Sequence, residues 1–130
     1  MASELRVNTL KDASGNNSIG MSYVANGSAK VLSRLDTYTP SNSPSFNVSS
    51  STDNGTGDMT LSFTNSFSGA NEQFPSMFNA TNNIVSNHSN RAIAATTAFP
   101  SGTIRVGLRN DAGTALDSYS GSITIHGDLA

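Results

Sequence analysis

Residues 59 to 64 alternate without a break. Met59, Leu61 and Phe63 fall on one side, and Thr60, Ser62 and Thr64 fall on the other. A period of two is what a half-buried strand requires, because successive side chains point to opposite faces of the pleat. On a helix the same residues would be scattered around the axis. A second alternating run, 45–51, carries Phe46 and Val48 on one side. Between the two runs lies 52–58 (TDNGTGD), where Asn54 and Gly55 supply the backbone conformations of a tight turn. A β-hairpin is therefore expected over 45–64.

Other runs carry the same signature. In 103–109, Ile104, Val106 and Leu108 alternate with Arg105, Gly107 and Arg109. In 122–126, Ile123 and Ile125 share a face and His126 takes the other. Val31, Leu32 and Leu35 mark a strand within 29–36. Leu5 and Val7 begin one over 5–11, followed by a turn at 12–17. Met21, Tyr23 and Ala25 suggest a strand within 19–26. Phe74, Met77 and Phe78 mark another, as do Ile84 and Val85, and a further strand is expected over 91–99. Pro40 and Pro44 make 38–45 a loop. No amphipathic helix is expected. Short strands separated by turn residues describe an all-β fold: an antiparallel β-sandwich or jelly-roll-like module with a short N-terminal strand arm. The arm is expected over 1–27 and the module over 28–130.

Composition narrows what such a module can do. Ser, Asn, Thr and Gly make up 61 of the 130 residues, and 12% are charged, about half the usual fraction. With 35% hydrophobic residues the core is thin, and packing between subunits would add burial that one chain lacks. Seven Lys and Arg against nine Asp and Glu leave no basic stripe, so nucleic acid is not an expected partner. There is no Cys, hence no disulfide framework, thiolate metal site or cysteine nucleophile. No apolar run reaches membrane-spanning length, so no membrane insertion is expected. Residues 1–10 lack the apolar segment of a signal peptide, so synthesis in a cytoplasm without secretory export is expected.

Chemistry-bearing residues are few. Asp53, Asn54, Gly55 and Asp58 resemble a calcium loop in type, but their spacing is that of a hairpin turn and no closing Glu follows. His88 and His126 are the only histidines; ordinary exposed positions are expected, although in a trimer each could form a ring about the axis. Asp53 with Asp58, and Asp111 with Asp117, flank turns and are expected to form them, not to act as a glycosidase pair. No nucleophile elbow is present. The chain is therefore expected not to be an enzyme, and no cofactor or metal is expected. Six Asn-x-Ser/Thr triplets, at Asn16, Asn26, Asn47, Asn54, Asn79 and Asn87, follow from the composition. Tyr38 and Tyr119 are the candidate binding residues, since tyrosine rings suit sugar and protein contact; partial burial at strand ends is the alternative. Candidate binding loops are 37–45 and 69–73.

The hairpin segment, SFNVSS at 45–50 followed by TDNGTGD at 52–58, with Thr60, Phe63 and Thr64, resembles a module of bacteriophage tail-fibre and appendage proteins, many of them marine. Ala29-Lys30 stands where that module has an Ala-Lys strand, and Asp111–Ala115 and Ile123–Gly127 resemble its closing turn and final strand. Residues 5–17 are similar to the strand and turn that open many phage fibre proteins. The chain departs from the pattern at Val31, where an aromatic is common. The resemblance implies a virion structural protein: a homotrimeric tail fibre or fibre tip that contributes to host attachment, with other virion proteins and a host surface glycan or protein as partners. A capsid decoration or head-fibre protein, or a free carbohydrate-binding module, are the alternatives. The arm would dock to the virion by strand pairing through Leu5, Val7 and Leu10.

Overall fold

The expected hairpin is the centre of the fold. The computed structural model describes residues 3, 6–15, 18–39, 45–70, 72–79, 84–85, 100–110 and 112–130. In it, β5 (Val48–Gly55) pairs antiparallel with β6 (Asp58–Phe63), with Ser51 opposite Leu61 and Thr52 opposite Thr60. The turn between them uses Gly55 at φ 117° and Gly57 at φ 63°, conformations open to glycine because it has no Cβ. Gly57 has a second constraint: a Cβ there would lie 2.6 Å from the carbonyl oxygens of both Leu108 and Leu116. On its other edge β6 pairs with β9 (Thr103–Gly107), which completes a three-stranded sheet.

A four-stranded antiparallel sheet packs against it, in the order β4 (Ser45–Phe46), β3 (Val31–Leu35), β11 (Gly121–His126), β7 (Phe74–Asn79). Asn47 turns the chain from β4 into β5, and so from one sheet to the other. It takes a left-handed conformation at φ 59°, which Asn tolerates better than most residues. Its amide Nδ2 donates to the Asn65 carbonyl at 3.0 Å and its Oδ1 accepts the Asn65 N–H at 2.7 Å. Pro75 falls in β7, an edge strand, where a missing N–H is tolerated.

The core lies between the two inner faces. One sheet contributes Val31, Leu35, Ile123 and Ile125, and the other contributes Met59, Leu61, Phe63, Ile104 and Val106. Phe67 closes one end, edge-on to Phe63 at 5.4 Å between ring centroids. Each such side chain stabilises the fold by about 1.5–3 kcal/mol when buried from water. Gly121 sits opposite Leu35 in register, and a Cβ there would come within 2.9 Å of the Leu35 Cβ. The absent side chain is what lets Leu35 pack down. The architecture is thus the all-β antiparallel sandwich that the alternation implies.

Four expectations need correction. The run 45–51 is not one strand: Asn47 breaks it, so that Phe46 lies exposed in one sheet while Val48 packs against the core from the other. The strand expected over 19–26 is instead β2 (Ser18–Gly20) followed by a helix, α1 (Met21–Gly27). Met21 and Val24 are its half-buried residues, a helical i, i+3 spacing that the Met21, Tyr23, Ala25 alternation concealed. The run 103–109 does not stay one strand. Leu108 is fully buried, and its N–H turns to the Gly57 carbonyl at 2.7 Å. The chain then forms β10 (Arg109–Asn110), paired with β8 (Ile84–Val85). At the N-terminus, β1 is limited to Thr9–Lys11 and pairs with β2. The strand expected over 91–99 lies outside the described residues. Among the described residues no helix is long and apolar enough to cross a membrane.

Candidate functional site

Two loops meet beside the four-stranded sheet, where β3 ends and β11 begins. Thr37 follows β3 and is buried, as is Ser118, which precedes β11. The Thr37 N–H donates to the Ser118 carbonyl at 2.9 Å, and the Ser118 N–H donates to the Thr37 hydroxyl at 2.9 Å. This reciprocal pair fixes the loops against each other with no buried polar group left unmet on these atoms. Asp36 shapes the first loop from within. Its Oδ1 accepts the N–H groups of Tyr38 and Thr39, each at 3.1 Å, and its Oδ2 accepts the Thr39 hydroxyl at 3.3 Å, the local turn chemistry typical of Asp. Arg34 ties down the second loop. Its Nε and Nη2 both donate to the Tyr119 carbonyl, at 2.9 and 2.6 Å.

The product of this scaffolding is a pair of tyrosines. The rings of Tyr38 and Tyr119 stack with centroids 4.0 Å apart and planes 8° from parallel, yet they remain 51% and 55% exposed. The two residues singled out from the sequence are therefore neighbours in the fold, stacked on each other and half-exposed beside the ends of β3 and β11. Their supports, Arg34, Thr37 and Ser118, carry no signal in the sequence that points to this role. Arg34 is 85 positions from the carbonyl it holds. Only Asp36, two residues before Tyr38, is readable as a turn former.

The other candidates take structural roles. Both carboxylate oxygens of Asp58 accept from Arg105, Nε at 2.7 Å and Nη2 at 2.5 Å. That hydrogen bonding holds the Asp58 carboxyl below the ordinary aspartate range, against the opposing effect of burial, and raises Arg105 in turn. Asp53 accepts the Gly55 N–H at 2.8 Å, and Asp117 accepts the Gly57 N–H at 2.6 Å. These carboxylates form and brace the hairpin turn. Asn54 and Asn47 also spend their side-chain amides on the fold, Asn54 on Thr60 at 2.8 Å. Among the described residues no three His, Asp or Glu side chains gather as a metal-binding group. His126 is half-buried on the outer face of its sheet, opposite Phe74 in register; His88 and Asp111 lie outside the described residues.

Of the two candidate loops, 69–73 is altered by the fold. Gln73 is buried and its Nε2 donates to the Pro100 carbonyl at 2.5 Å, so that end of the loop faces inward. In the arm, Leu10 pairs with Ile19 across β1 and β2, both exposed. Val7 is half-buried ahead of β1, and Leu5 lies outside the described residues. No family model, curated protein or solved structure matches the chain. Fold and site together define a class: an all-β sandwich that carries a pinned, solvent-facing tyrosine pair.

Proposed function

We propose that the chain is a non-catalytic structural protein of a bacteriophage particle, a tail-fibre or fibre-tip protein that contributes to host attachment as a homotrimer. The observation that supports this reading is the Tyr38–Tyr119 pair. Stacked rings contribute about 0.5–1.5 kcal/mol beyond their burial, which does not by itself account for two loops locked to hold half-exposed aromatics. Preorganised exposed tyrosines are what a binding surface uses, because little ordering remains to be done on contact. The outer face of the four-stranded sheet also exposes Leu32, Phe46 and Phe74, apolar surface that suits contact between subunits.

The test is adsorption. Purified protein added to host cells before phage is expected to slow attachment, and Tyr38→Ala with Tyr119→Ala is expected to abolish that competition. Unchanged competition by the double variant would reject the pair as the attachment site. A capsid decoration role is the second reading, favoured by an arm that buries none of its described residues. Antibody-gold labelling of virions separates the two: label on the tail supports attachment, and label over the head supports decoration.

A further inference from the structure

The chain holds two Asn-Gly dipeptides, Asn26-Gly27 and Asn54-Gly55. We infer that the first is a site of spontaneous covalent modification, deamidation, while the fold shields the second. The chemistry is set by the dipeptide. The backbone nitrogen of the glycine, having lost its proton to solvent base, attacks Cγ of the asparagine side chain. A new C–N bond closes a cyclic succinimide, and the side-chain nitrogen takes a proton from water and leaves as ammonia. Water then opens one of the two imide C–N bonds and leaves an aspartyl or isoaspartyl residue. Glycine favours the attack because it has no Cβ to crowd the nitrogen and leaves the backbone free to turn. Both dipeptides are solvent-exposed, so access of water and base does not distinguish them.

Hydrogen bonding and local stability do. At the hairpin both reacting groups are held. The Gly55 N–H donates to the Asp53 carboxylate at 2.8 Å, and Asn54 Nδ2 donates to the Thr60 hydroxyl at 2.8 Å and to Asp58 at 3.3 Å. Both residues lie in β5, which pairs along β6, so attack requires the central hairpin to open. Among the described residues the Asn26 side chain makes no hydrogen bond. It stands in the last turn of α1, a helix of seven residues with no side-chain N-cap bond and no buried residue. A helix this short gains little from its own backbone. What fastens its end is exposed: Lys30 Nζ and the Ser28 hydroxyl both donate to the Ala25 carbonyl. A segment with so little burial opens far more readily than a core strand. Conversion has a structural consequence. Asn26 lines an open cleft with Glu72, Phe74, Gly127 and Asp128, beside the ends of β7 and β11. A carboxylate formed at position 26 shares that cleft with two others and sits at the negative end of the helix dipole. The product is a slow, one-way loosening of α1 from the sheet that needs no enzyme.

Peptide mapping by mass spectrometry tests this on the full chain. The protein is kept in mildly alkaline buffer, folded and in parallel in concentrated urea, and the acid form is quantified at each site over time. In urea the two sites should convert at rates within a few-fold of each other, which sets aside the contribution of local sequence. In the folded chain Asn26 is expected to convert at least about tenfold faster than Asn54. Gly27→Ala, whose Cβ meets nothing within 4 Å, should suppress conversion at Asn26 with the circular dichroism spectrum unchanged. Asn26→Asp should speed hydrogen exchange of the α1 amides, an effect reduced by added salt, whereas the neutral Asn26→Gln should not. Conversion at Asn26 no faster than at Asn54 in the folded chain would overturn the assignment. Unchanged α1 exchange in Asn26→Asp would overturn the loosening of the helix.

Discussion

The sandwich and the N-terminal arm obey the same local rules and reach opposite outcomes. In the sandwich, alternation is converted into burial: Met59, Leu61, Ile123 and Ile125 are each at most 1% exposed. In the arm, Leu10 and Ile19 also face each other across paired strands, yet both stay more than 40% exposed, and none of the described residues of 6–29 is buried. The difference is the second layer. A strand pair gains little in water until its apolar face is covered, and only the sandwich has a sheet to cover it. The tyrosine site belongs to the first region. Its loops are anchored on β3 and β11, at the heart of the buried sheet, and so inherit its rigidity.

This contrast can be broken at its strong end. Leu61→Ala or Ile123→Ala should cost about 2–5 kcal/mol, read as a lower urea midpoint with an unchanged slope. A loss below about 1 kcal/mol would mean the sheets are not close-packed as described. Gly57→Ala is expected to cost about 1–3 kcal/mol, because the new Cβ meets two carbonyls in a left-handed conformation. If Gly57→Ala is neutral, the hairpin tip is not braced against Leu108 and Leu116. Thr37→Val removes the hydroxyl that accepts the buried Ser118 N–H and should cost about 1–3 kcal/mol. It should also loosen the tyrosine stack, seen as averaging of the Tyr38 and Tyr119 ring signals.

Smaller effects sharpen the comparison. The Asp58–Arg105 pair is bidentate but about a third exposed, so a double-mutant cycle should return about 0.5–1 kcal/mol. Its pH dependence has a defined sign. The Asp58 carboxyl is held below the ordinary value of 3.8, so the pair stabilises the fold above about pH 4. That stabilisation is lost as the pH falls through the lowered value. The cycle repeated at successively lower pH below 4 should show the coupling fall. At the weak end, Leu10→Ala and Ile19→Ala should change global stability by less than about 0.5 kcal/mol. Amides of β1 and β2 should exchange with solvent far faster than those of β6 and β11. Slow exchange there would show that the arm is already covered, by another copy of the chain.

Much of the fold was legible because its signals are local. The strands at 59–63, 103–107 and 121–126 and the turn at 54–57 follow from period-two patterning and from the turn chemistry of Asn and Gly. Both stacked tyrosines were legible as residue types. The missed features are those in which distant segments compete for the same atoms. At 21–27 two residues at helical spacing outweighed an alternation that had no second strand to pair with. At Leu108 the N–H had a choice between continuing a strand and bracing the Gly57 turn, and the turn took it. Gln73 could be placed inside only once the Pro100 and Thr103 carbonyls were known to lie beside it.

By itself, then, the sequence determined that this protein is all-β, thin in its core and polar on its surface, because side-chain period and turn propensity act within a few residues. Only the tertiary structure decided that β3 pairs with β11, that Arg34 reaches the Tyr119 carbonyl and that Tyr38 and Tyr119 become one surface. Those pairings depend on closing loops of some 80 residues, and no local preference encodes which distant partner makes that closure favourable.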